Sequence, residues 1–326
     1  MAAVHAALGL VGDIGGTNCR LAVVELNAGP VSLRAPRSYL CAHFETASAC
    51  IQAYLKAAEV RPLAAVLAVA GPVLAGSARL TNNHWQLDEA ALGNALGLPC
   101  IRLINDFAAL AFAAPLLDAT DTATIGPDIA GAPRATIAVM GPGTGFGLAA
   151  LAGGAASGVI ATEGGHIAYA PTDETEQKIL HSLARRHGRV SIERILAGQG
   201  LADLHAALAE IDGRAPPDLT AAAITAAAAA GDPVAAATVD RFCAILGATT
   251  GDLALALGAQ GGVFIAGGIA PRLLGALRAG QFRARFEAKG RFAAYMQAIP
   301  TRVITVPHAA LLGAADELAR LTAAQA

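Results

Sequence analysis

One construction occurs twice in this chain: a short apolar run, a glycine-rich turn and a second apolar run. The turn of the first copy has the sequence GDIGGTN at residues 12–18, and that of the second has GPGTGFG at residues 141–147. Each apolar run has the length and composition of a buried β-strand, so both copies are predicted to be strand–turn–strand units. We interpret them as one supersecondary unit used once in each of two domains, with the ligand between them.

The glycine content of these turns favours a phosphate ligand, because backbone without Cβ atoms lets a phosphate approach the amides closely. The first turn is neither a Walker A loop nor a dinucleotide fingerprint, since no Gly-Lys-Ser/Thr follows it and the next element is a strand. Asp13 is the one anion in that turn, and its carboxylate would repel phosphate unless a cation lay between them. Mg²⁺ held through water is therefore predicted. The alternative is a plain hairpin with Asp13 as a turn former.

The composition suits a two-domain globular protein. With 326 residues, of which 55% are hydrophobic and 15% charged, the chain can bury a large core and is long for one domain. The net charge of -2 without a basic stripe argues against nucleic acid as a partner. Five scattered cysteines without Cys-x-x-Cys spacing fit a reducing cytoplasm and give no zinc site. Asp252 and several glycines interrupt the apolar stretch 243–270, which predicts a buried helix and strand there and no membrane span.

A candidate catalytic carboxylate follows a predicted strand at residues 101–104. Asn105 and Asp106 come directly after this strand, and a helix is predicted over residues 107–114. Ligands of α/β sheets bind beyond the carboxyl ends of the strands, so Asp106 is placed where a catalytic group would be. The alternative is an N-cap, although two adjacent residues of this kind are one more than a cap needs.

Three more segments carry candidate binding groups. Glu163 and His166, separated by two glycines in a predicted bend, suit a polar ligand; the alternatives are a metal site, for which a third ligand is missing nearby, and a turn with a surface histidine. Glu193 falls in the first turn of a short predicted helix, where the helix dipole alone would favour a carboxylate. Gly267 and Gly268 follow a predicted strand, and they indicate either backbone close to a flat ligand or tight helix–strand packing.

The ordered set of motifs resembles the bacterial glucokinase family of the actin/hexokinase superfamily. The matching segments are GDIGGTNCR at 12–20, LINDF at 103–107, GPGTGFG at 141–147, EGGH at 163–166, VSIER at 190–194, GGVFIAGG at 261–268 and RF at 291–292. The resemblance implies an α/β protein with a two-domain actin/hexokinase-like fold, a duplicated ribonuclease-H-like fold with an interdomain cleft. The expected small domain, residues 1–115 plus 307–326, holds the first phosphate turn and the general base. The expected large domain, residues 116–306, holds the second phosphate turn, the sugar loop and the adenosine turn.

The resemblance also implies an activity. It is the Mg²⁺-dependent transfer of the γ-phosphate of ATP to the 6-hydroxyl of D-glucose, by a cytoplasmic homodimer that binds neither nucleic acid nor a membrane. The alternatives are a hexose kinase specific for mannose or fructose, a sugar-sensing repressor, and a chaperone-type or actin-like ATPase. A repressor would need a DNA-binding module before the first turn, and an ATPase would have no use for the polar set at Glu163, His166 and Glu193.

By resemblance, each candidate residue has an expected role. Asp106 is the general base and Asp13 anchors the metal. The sugar hydroxyls are held by Asn105, Asp106, Glu163, His166 and Glu193. The nucleotide contacts Gly12, Asp13, Ile14, Gly15, Gly16 and Thr17 in the first turn, Gly141, Gly143, Thr144 and Gly145 in the second turn, and Gly267 and Gly268 beside the adenosine. Departures from the family pattern at Pro142, Phe146 and Thr162 affect only the details of nucleotide affinity.

Overall fold

The computed structural model describes residues 7–26, 31–80, 83–153, 158–215 and 218–324. Its contacts divide the chain into two compact units. The first unit is Met1–Leu117 together with Pro307–Ala326, and the second is Asp118–Val306. Each unit contains β-sheet and helices, so the chain is a mixed α/β protein, as the sequence predicts.

The first unit contains a five-stranded sheet with the strand order β3-β2-β1-β4-β8 and a three-stranded sheet with the order β5-β6-β7. Its elements are β1 (Leu8–Ile14), β2 (Asn18–Glu25), β3 (Arg34–Leu40), α1 (Ala47–Ala58), β4 (Ala64–Val69), β5 (Val73–Leu74), β6 (Ser77–Arg79), β7 (Gln86–Asp88), α2 (Glu89–Leu96), β8 (Cys100–Asn105), α3 (Asp106–Ala113) and the last helix of the chain, α12 (Ala309–Ala323). Short 3₁₀ helices lie at Cys41–His43 and Ala114–Leu116.

The middle of the larger sheet is parallel and buried. β1, β4 and β8 run in one direction, and β1 pairs antiparallel with β2. Every residue of β4 is buried, which is typical of a parallel strand covered on both faces. On one of these faces α12 crosses α3 at very short range, because a Cβ atom on Gly313 would lie 1.7 Å from the carbonyl oxygen of Ala109. The position of α3, which begins at Asp106, therefore depends on α12.

The second unit has a six-stranded sheet with the order β12-β11-β10-β13-β14-β9. Its elements are β9 (Thr122–Thr124), β10 (Ile137–Pro142), β11 (Phe146–Leu151), β12 (Val159–Thr162), α4 (Glu174–His187), α5 (Ile192–Ile195), α6 (Gly198–Ile211), α7 (Ala221–Ala229), α8 (Pro233–Leu257), β13 (Gly262–Ile265), α9 (Leu274–Ala279), α10 (Phe282–Glu287), α11 (Ala293–Gln297) and β14 (Thr301–Ile304). Short 3₁₀ helices lie at Gly164–His166, Ala270–Leu273 and Gly290–Phe292.

The apolar stretch 243–270 forms the second part of α8, followed by β13, in agreement with the prediction of a helix and a strand. Phe242, Cys243, Ile245 and Leu246 in α8 are fully buried in the core of the second unit. By length and composition, no single helix in the described ranges suits a membrane span. Within these ranges, α7 and α8 have a suitable length and composition only when taken together, and the two helices are bent by 112°.

Candidate active site

The first glycine motif forms the β1–β2 hairpin, and its turn is shorter than predicted. The antiparallel ladder continues to the pair Ile14↔Cys19, which leaves residues 15–18 as the turn. Gly12 lies inside β1 and is buried, and a Cβ atom there would lie 2.7 Å from Cδ2 of Leu67. Packing on the sheet therefore accounts for Gly12, and the side chain of Ile14 is likewise buried in the core.

The carbonyl groups of this turn are held from one side. Cys41 donates its amide to the carbonyl of Thr17 at 2.9 Å and its thiol to that of Gly15 at 3.5 Å. The Nδ2 group of Asn83 donates to the carbonyl of Gly16 at 3.1 Å. Because the C=O and N–H of a trans peptide point in opposite directions, the amides of Gly16 and Thr17 point away from Cys41 and Asn83. This orientation suits the binding of an anion.

Two cysteine thiols near this turn are held in the protonated state. The hydrogen bond with Cys50 raises the pKa of Cys19 far above its ordinary value, and burial adds to the effect. Burial also raises the pKa of Cys41. Neither thiol therefore adds negative charge where a phosphate would bind.

Asp13 lies at the end of β1, and its Oδ2 is 2.7 Å from Nη1 of Arg20. The described ranges contain no group of three or more His, Cys, Asp or Glu side chains that could hold a metal ion. Glu163 and His166 therefore belong to no such group. A single carboxylate does fit Mg²⁺, because this ion keeps several waters and shares its remaining positions with substrate phosphates.

Asn105 and Asp106 divide the roles that the sequence left open. The Oδ1 atom of Asn105 accepts hydrogen bonds from the amides of Phe107 and Ala108 at 2.9 and 3.1 Å, so Asn105 is the N-cap of α3. Its Nδ2 donates to the carbonyl of Gly71 at 3.1 Å and to Oδ1 of Asp106 at 3.0 Å. Asp106 occupies the first position of the helix, and its Oδ1 also accepts from the Phe107 amide at 2.9 Å. The N-cap role, which was the alternative interpretation of Asp106, therefore belongs to Asn105.

The first turn and Asp106 lie at one edge of the sheet in the first unit. At the carboxyl ends of the three parallel strands, Ile14 pairs with Val69, which in turn pairs with Asn105. Adjacent strands are roughly 4.8 Å apart, so two strand spacings, about 10 Å, separate the end of β1 from the end of β8. That spacing leaves room for a small ligand between the turn amides and the Asp106 carboxylate.

In the second unit, Glu193 lies against the second glycine turn. The turn is formed by residues 143–145 and is closed by a hydrogen bond from the Gly143 amide to the Gly145 carbonyl at 2.7 Å; Thr144 at its tip is exposed. The amide of Phe146 donates to Oε2 of Glu193 at 2.9 Å. A Cβ atom on Gly145 would lie 2.3 Å from the same oxygen. A larger residue at this position would displace the carboxylate of Glu193.

The turn at Gly267 and Gly268 contacts the second glycine motif. Gly267 has a φ of +88°, and a Cβ atom there would lie 2.3 Å from the carbonyl oxygen of Pro142. Gly141 is buried and lies equally close to the residue before Gly267, since a Cβ atom on Gly141 would lie 2.2 Å from the carbonyl oxygen of Ala266. At Gly268, by contrast, a Cβ atom would meet nothing within 4 Å. Packing accounts for Gly267 and Gly141, while Gly268 faces open space.

The loop with Glu163 and His166 lies on the start of β11. It forms a 3₁₀ turn in which the His166 amide donates to the Glu163 carbonyl at 3.0 Å, and both side chains are exposed. A Cβ atom on Gly165 would lie 2.1 Å from the carbonyl oxygen of Phe146. The carbonyl of Phe146 therefore contacts this loop, and the amide of Phe146 donates to Glu193.

Known proteins of one family are similar to this chain. The Glucokinase family model matches residues 10–321. The chain belongs to the glucokinase family. A glucokinase of Caulobacter sp. (strain K31) is 53% identical over 312 residues, 94% of each chain. The crystal structure of a glucokinase from an Antarctic psychrotroph matches with a TM-score of 0.89 and 38% identity, over 97% of this chain and 100% of that one.

A more distant glucokinase shares the fold. The ROK family glucokinase from Streptomyces griseus, solved in complex with glucose and AMPPNP, matches with a TM-score of 0.63 and 21% identity, over 97% of this chain and 100% of that chain. The predictions of the glucokinase family, of a kinase and of the actin/hexokinase-like fold are confirmed.

Sequence reasoning missed several residues that shape these sites in this member of the glucokinase family. Cys41 and Asn83 orient the first turn, Arg20 pairs with Asp13, and Phe146 joins the second turn to Glu193. Asn83 lies in a polar loop beside the one tryptophan of the chain, which was a weak signal. Phe146 stood out in the sequence only as a departure from the family pattern.

Proposed function

We propose that this protein transfers the γ-phosphoryl group of MgATP to the 6-hydroxyl of D-glucose, giving glucose 6-phosphate and ADP. The proposal rests on the positions of the first glycine turn and Asp106. They lie two strands apart at the carboxyl ends of the parallel strands in the first unit. Membership of the glucokinase family supports the reaction class. Phosphoryl transfer needs positioning and charge neutralisation more than covalent catalysis, and amide turns beside a carboxylate supply both.

In the proposed reaction Asp106 is the general base. The sugar oxygen forms a bond to the γ-phosphorus, the bond from that phosphorus to the β–γ bridging oxygen breaks, and ADP leaves with the electron pair. The hydroxyl proton passes to the carboxylate of Asp106. Asn105 Nδ2 and the amide of Phe107 both donate hydrogen bonds to Oδ1 of this carboxylate, and these bonds fix its position.

The nucleotide is proposed to bind to the glycine turns of the two units. The outward-pointing amides of Gly16 and Thr17 suit one phosphate, and the second turn at residues 143–145 suits another. Gly268, which faces open space, suits a position beside the adenosine. Mg²⁺ held by Asp13 and by phosphate oxygens would neutralise the charge that moves to the leaving group.

The sugar is proposed to be held by hydrogen bonds to Asn105, Asp106, Glu163, His166 and Glu193. Carboxylates accept hydrogen bonds from hydroxyls, while the amide and the imidazole can both donate and accept. A set of this kind matches a polyol, because each hydroxyl offers one donor and two acceptor lone pairs.

A coupled assay with several hexoses and donors tests the proposal. With MgATP we expect glucose to have a kcat/KM more than about tenfold above those of mannose and fructose, because sites that hydrogen-bond substrate hydroxyls discriminate strongly. Polyphosphate and ADP are expected to be poor donors. Preference for another hexose would show that the specificity is wrong, and absence of turnover with every sugar would refute the reaction.

We also propose that the protein is a homodimer in the cytoplasm, as the family resemblance implies. Light scattering of the purified protein should give twice the 32.6 kDa of one chain. A mass equal to one chain at micromolar concentration would contradict the dimer.

A further inference from the structure

A buried carboxylate in the second unit has no part in the proposed reaction. Glu176, in the first turn of α4, is fully buried. Its Oε2 atom accepts hydrogen bonds from the hydroxyl of Tyr169 at 2.9 Å and from the amide and hydroxyl of Thr172, both at 2.8 Å. Its Oε1 atom lies 3.2 Å from Nη1 of Arg241 and also accepts from Arg285. Every one of these partners lies within the second unit.

Such a network is a poor way to gain stability. Charges removed from water lose solvation that their pairing only partly restores, so an apolar cluster of equal volume often serves as well. What a fully bonded network does provide is a defined geometry for the segments that carry it. Burial, with the charge of Glu176, raises the pKa of Tyr169, so its hydroxyl stays protonated and donates.

Tyr169, which this network holds, lies in one of two paired segments. These segments adjoin the proposed sugar-binding residues His166 and Glu193. The amide of Tyr169 donates to the carbonyl of Val190 at 3.1 Å, and the amide of Ile192 donates to the carbonyl of Ile167 at 3.0 Å. Residues 167–169 therefore pair with residues 190–192. The first of these segments follows directly after His166, and the second leads directly into Glu193.

We propose that Tyr169, anchored by Glu176, is a positioning residue for glucose. It sets the register between the loop that carries Glu163 and His166 and the segment that carries Glu193. The inference rests on the proposed function, since it concerns the residues assigned there to the sugar. Tyr169 acts through the backbone of these two segments.

Conservative substitutions can isolate this role. Tyr169→Phe removes only the hydroxyl that bonds to Glu176, and Thr172→Val removes a second hydroxyl bonded to the same oxygen. Thr172→Ser keeps that hydroxyl and is expected to behave like the wild type. Ser182→Ala is the matched control, because the Ser182 hydroxyl, also on α4, donates to the carboxylate of Glu210 at 2.6 Å, and neither residue contacts the paired segments through that bond.

The expected result is a selective loss of glucose affinity. In Tyr169→Phe, and to a smaller extent in Thr172→Val, KM for glucose should rise about tenfold, the effect of one lost hydrogen bond to a charged group. KM for ATP should rise less than KM for glucose, because among the sugar groups of this unit only Glu193 bonds to the second turn. The value of kcat should stay within about twofold of the wild type, because the substitution removes no interaction specific to the transition state. Ser182→Ala should lower the melting temperature comparably without changing either KM.

Hydrogen exchange gives a readout that does not depend on activity. In the sugar-free protein, Tyr169→Phe should speed exchange of the His166 and Ile192 amides more than Ser182→Ala does. Three outcomes would overturn the inference. They are an unchanged KM for glucose in Tyr169→Phe, an equal rise of KM for glucose and KM for ATP in that variant, and an equal rise of KM for glucose in Ser182→Ala. If the wild type phosphorylates no sugar, the proposed function fails by itself, and equal exchange rates in the two variants would then overturn the positioning role.

Discussion

The Oε2 atom of Glu193 lies 2.9 Å from the amide nitrogen of Phe146, at the end of the second glycine turn. A carboxylate assigned to the sugar thus contacts the backbone assigned to a phosphate. A Cβ atom on Gly145 would lie 2.3 Å from the same oxygen, so a larger residue at position 145 would displace this carboxylate. Sugar and nucleotide binding are therefore expected to depend on the same side chain.

Replacing Glu193 should weaken the binding of both substrates. In Glu193→Ala we expect KM for glucose and KM for ATP each to rise roughly 10–100-fold, because the sugar and the Phe146 amide both lose a charged acceptor. Glu193→Gln keeps a neutral acceptor and should affect ATP less. Steady-state kinetics with each substrate varied in turn gives both values. Arg194→Ala, an exposed neighbour in the same helix, is the control, and an unchanged KM for ATP in Glu193→Ala would contradict the link.

Asp106→Asn should remove catalysis and leave the fold intact. Because Asn105 is the N-cap of α3, the substitution should change stability by less than about 0.5 kcal/mol. Loss of the general base should lower kcat at least about a hundredfold. The measurements are thermal unfolding, glucose binding by calorimetry and kcat. Asn105→Ala, by contrast, should lose about 1 kcal/mol of cap stability as well as the hydrogen bond to Asp106. A variant at Asp106 that keeps more than about a tenth of wild-type kcat would refute the base assignment.

The two glycines after β13 should respond differently to alanine. Gly267→Ala forces a positive φ on a residue with a Cβ atom, which costs about 1–3 kcal/mol, and that atom would meet the carbonyl oxygen of Pro142 at 2.3 Å. Gly268→Ala has open space and should leave stability unchanged. If Gly268 borders the adenosine, its substitution should raise KM for ATP and not KM for glucose. Denaturant titration and kinetics test both, and equal stability losses would contradict the distinction.

Gly313→Ala should reduce both stability and turnover. The new methyl group would lie 1.7 Å from the carbonyl oxygen of Ala109, so α12 must move away from α3. Overpacking of this kind costs about 1–3 kcal/mol, and the shift of α3 should lower kcat because the helix begins at Asp106. Gly275→Ala in α9 is the control, since it meets nothing within 4 Å and replaces a helical glycine; it should be neutral or stabilise by up to about 1 kcal/mol. A normal kcat in Gly313→Ala would show that α12 does not position Asp106.

Local patterns in the sequence were sufficient for several features. The strand–turn–strand units, a helix over residues 107–114 and the buried helix and strand at residues 243–270 were all predicted, and the first of these helices begins one residue earlier than expected, at Asp106. Glycine placement, apolar runs and capping residues act over a few residues, so the chain displays them directly. The ordered motifs also identified the glucokinase family. The roles of the individual site residues remain predictions.

Tertiary structure decided how these pieces meet. Gly12 packs against the side chain of Leu67, Asn83 binds the carbonyl of Gly16, and Gly313 in α12 packs against Ala109 in α3. Contacts of this kind join residues far apart in the chain, and no local period or composition records which partners will meet. The sequence alone therefore determined the elements and the family. The contact of Glu193 with Phe146 and the burial of Glu176 depend on packing between segments that only the folded chain brings together.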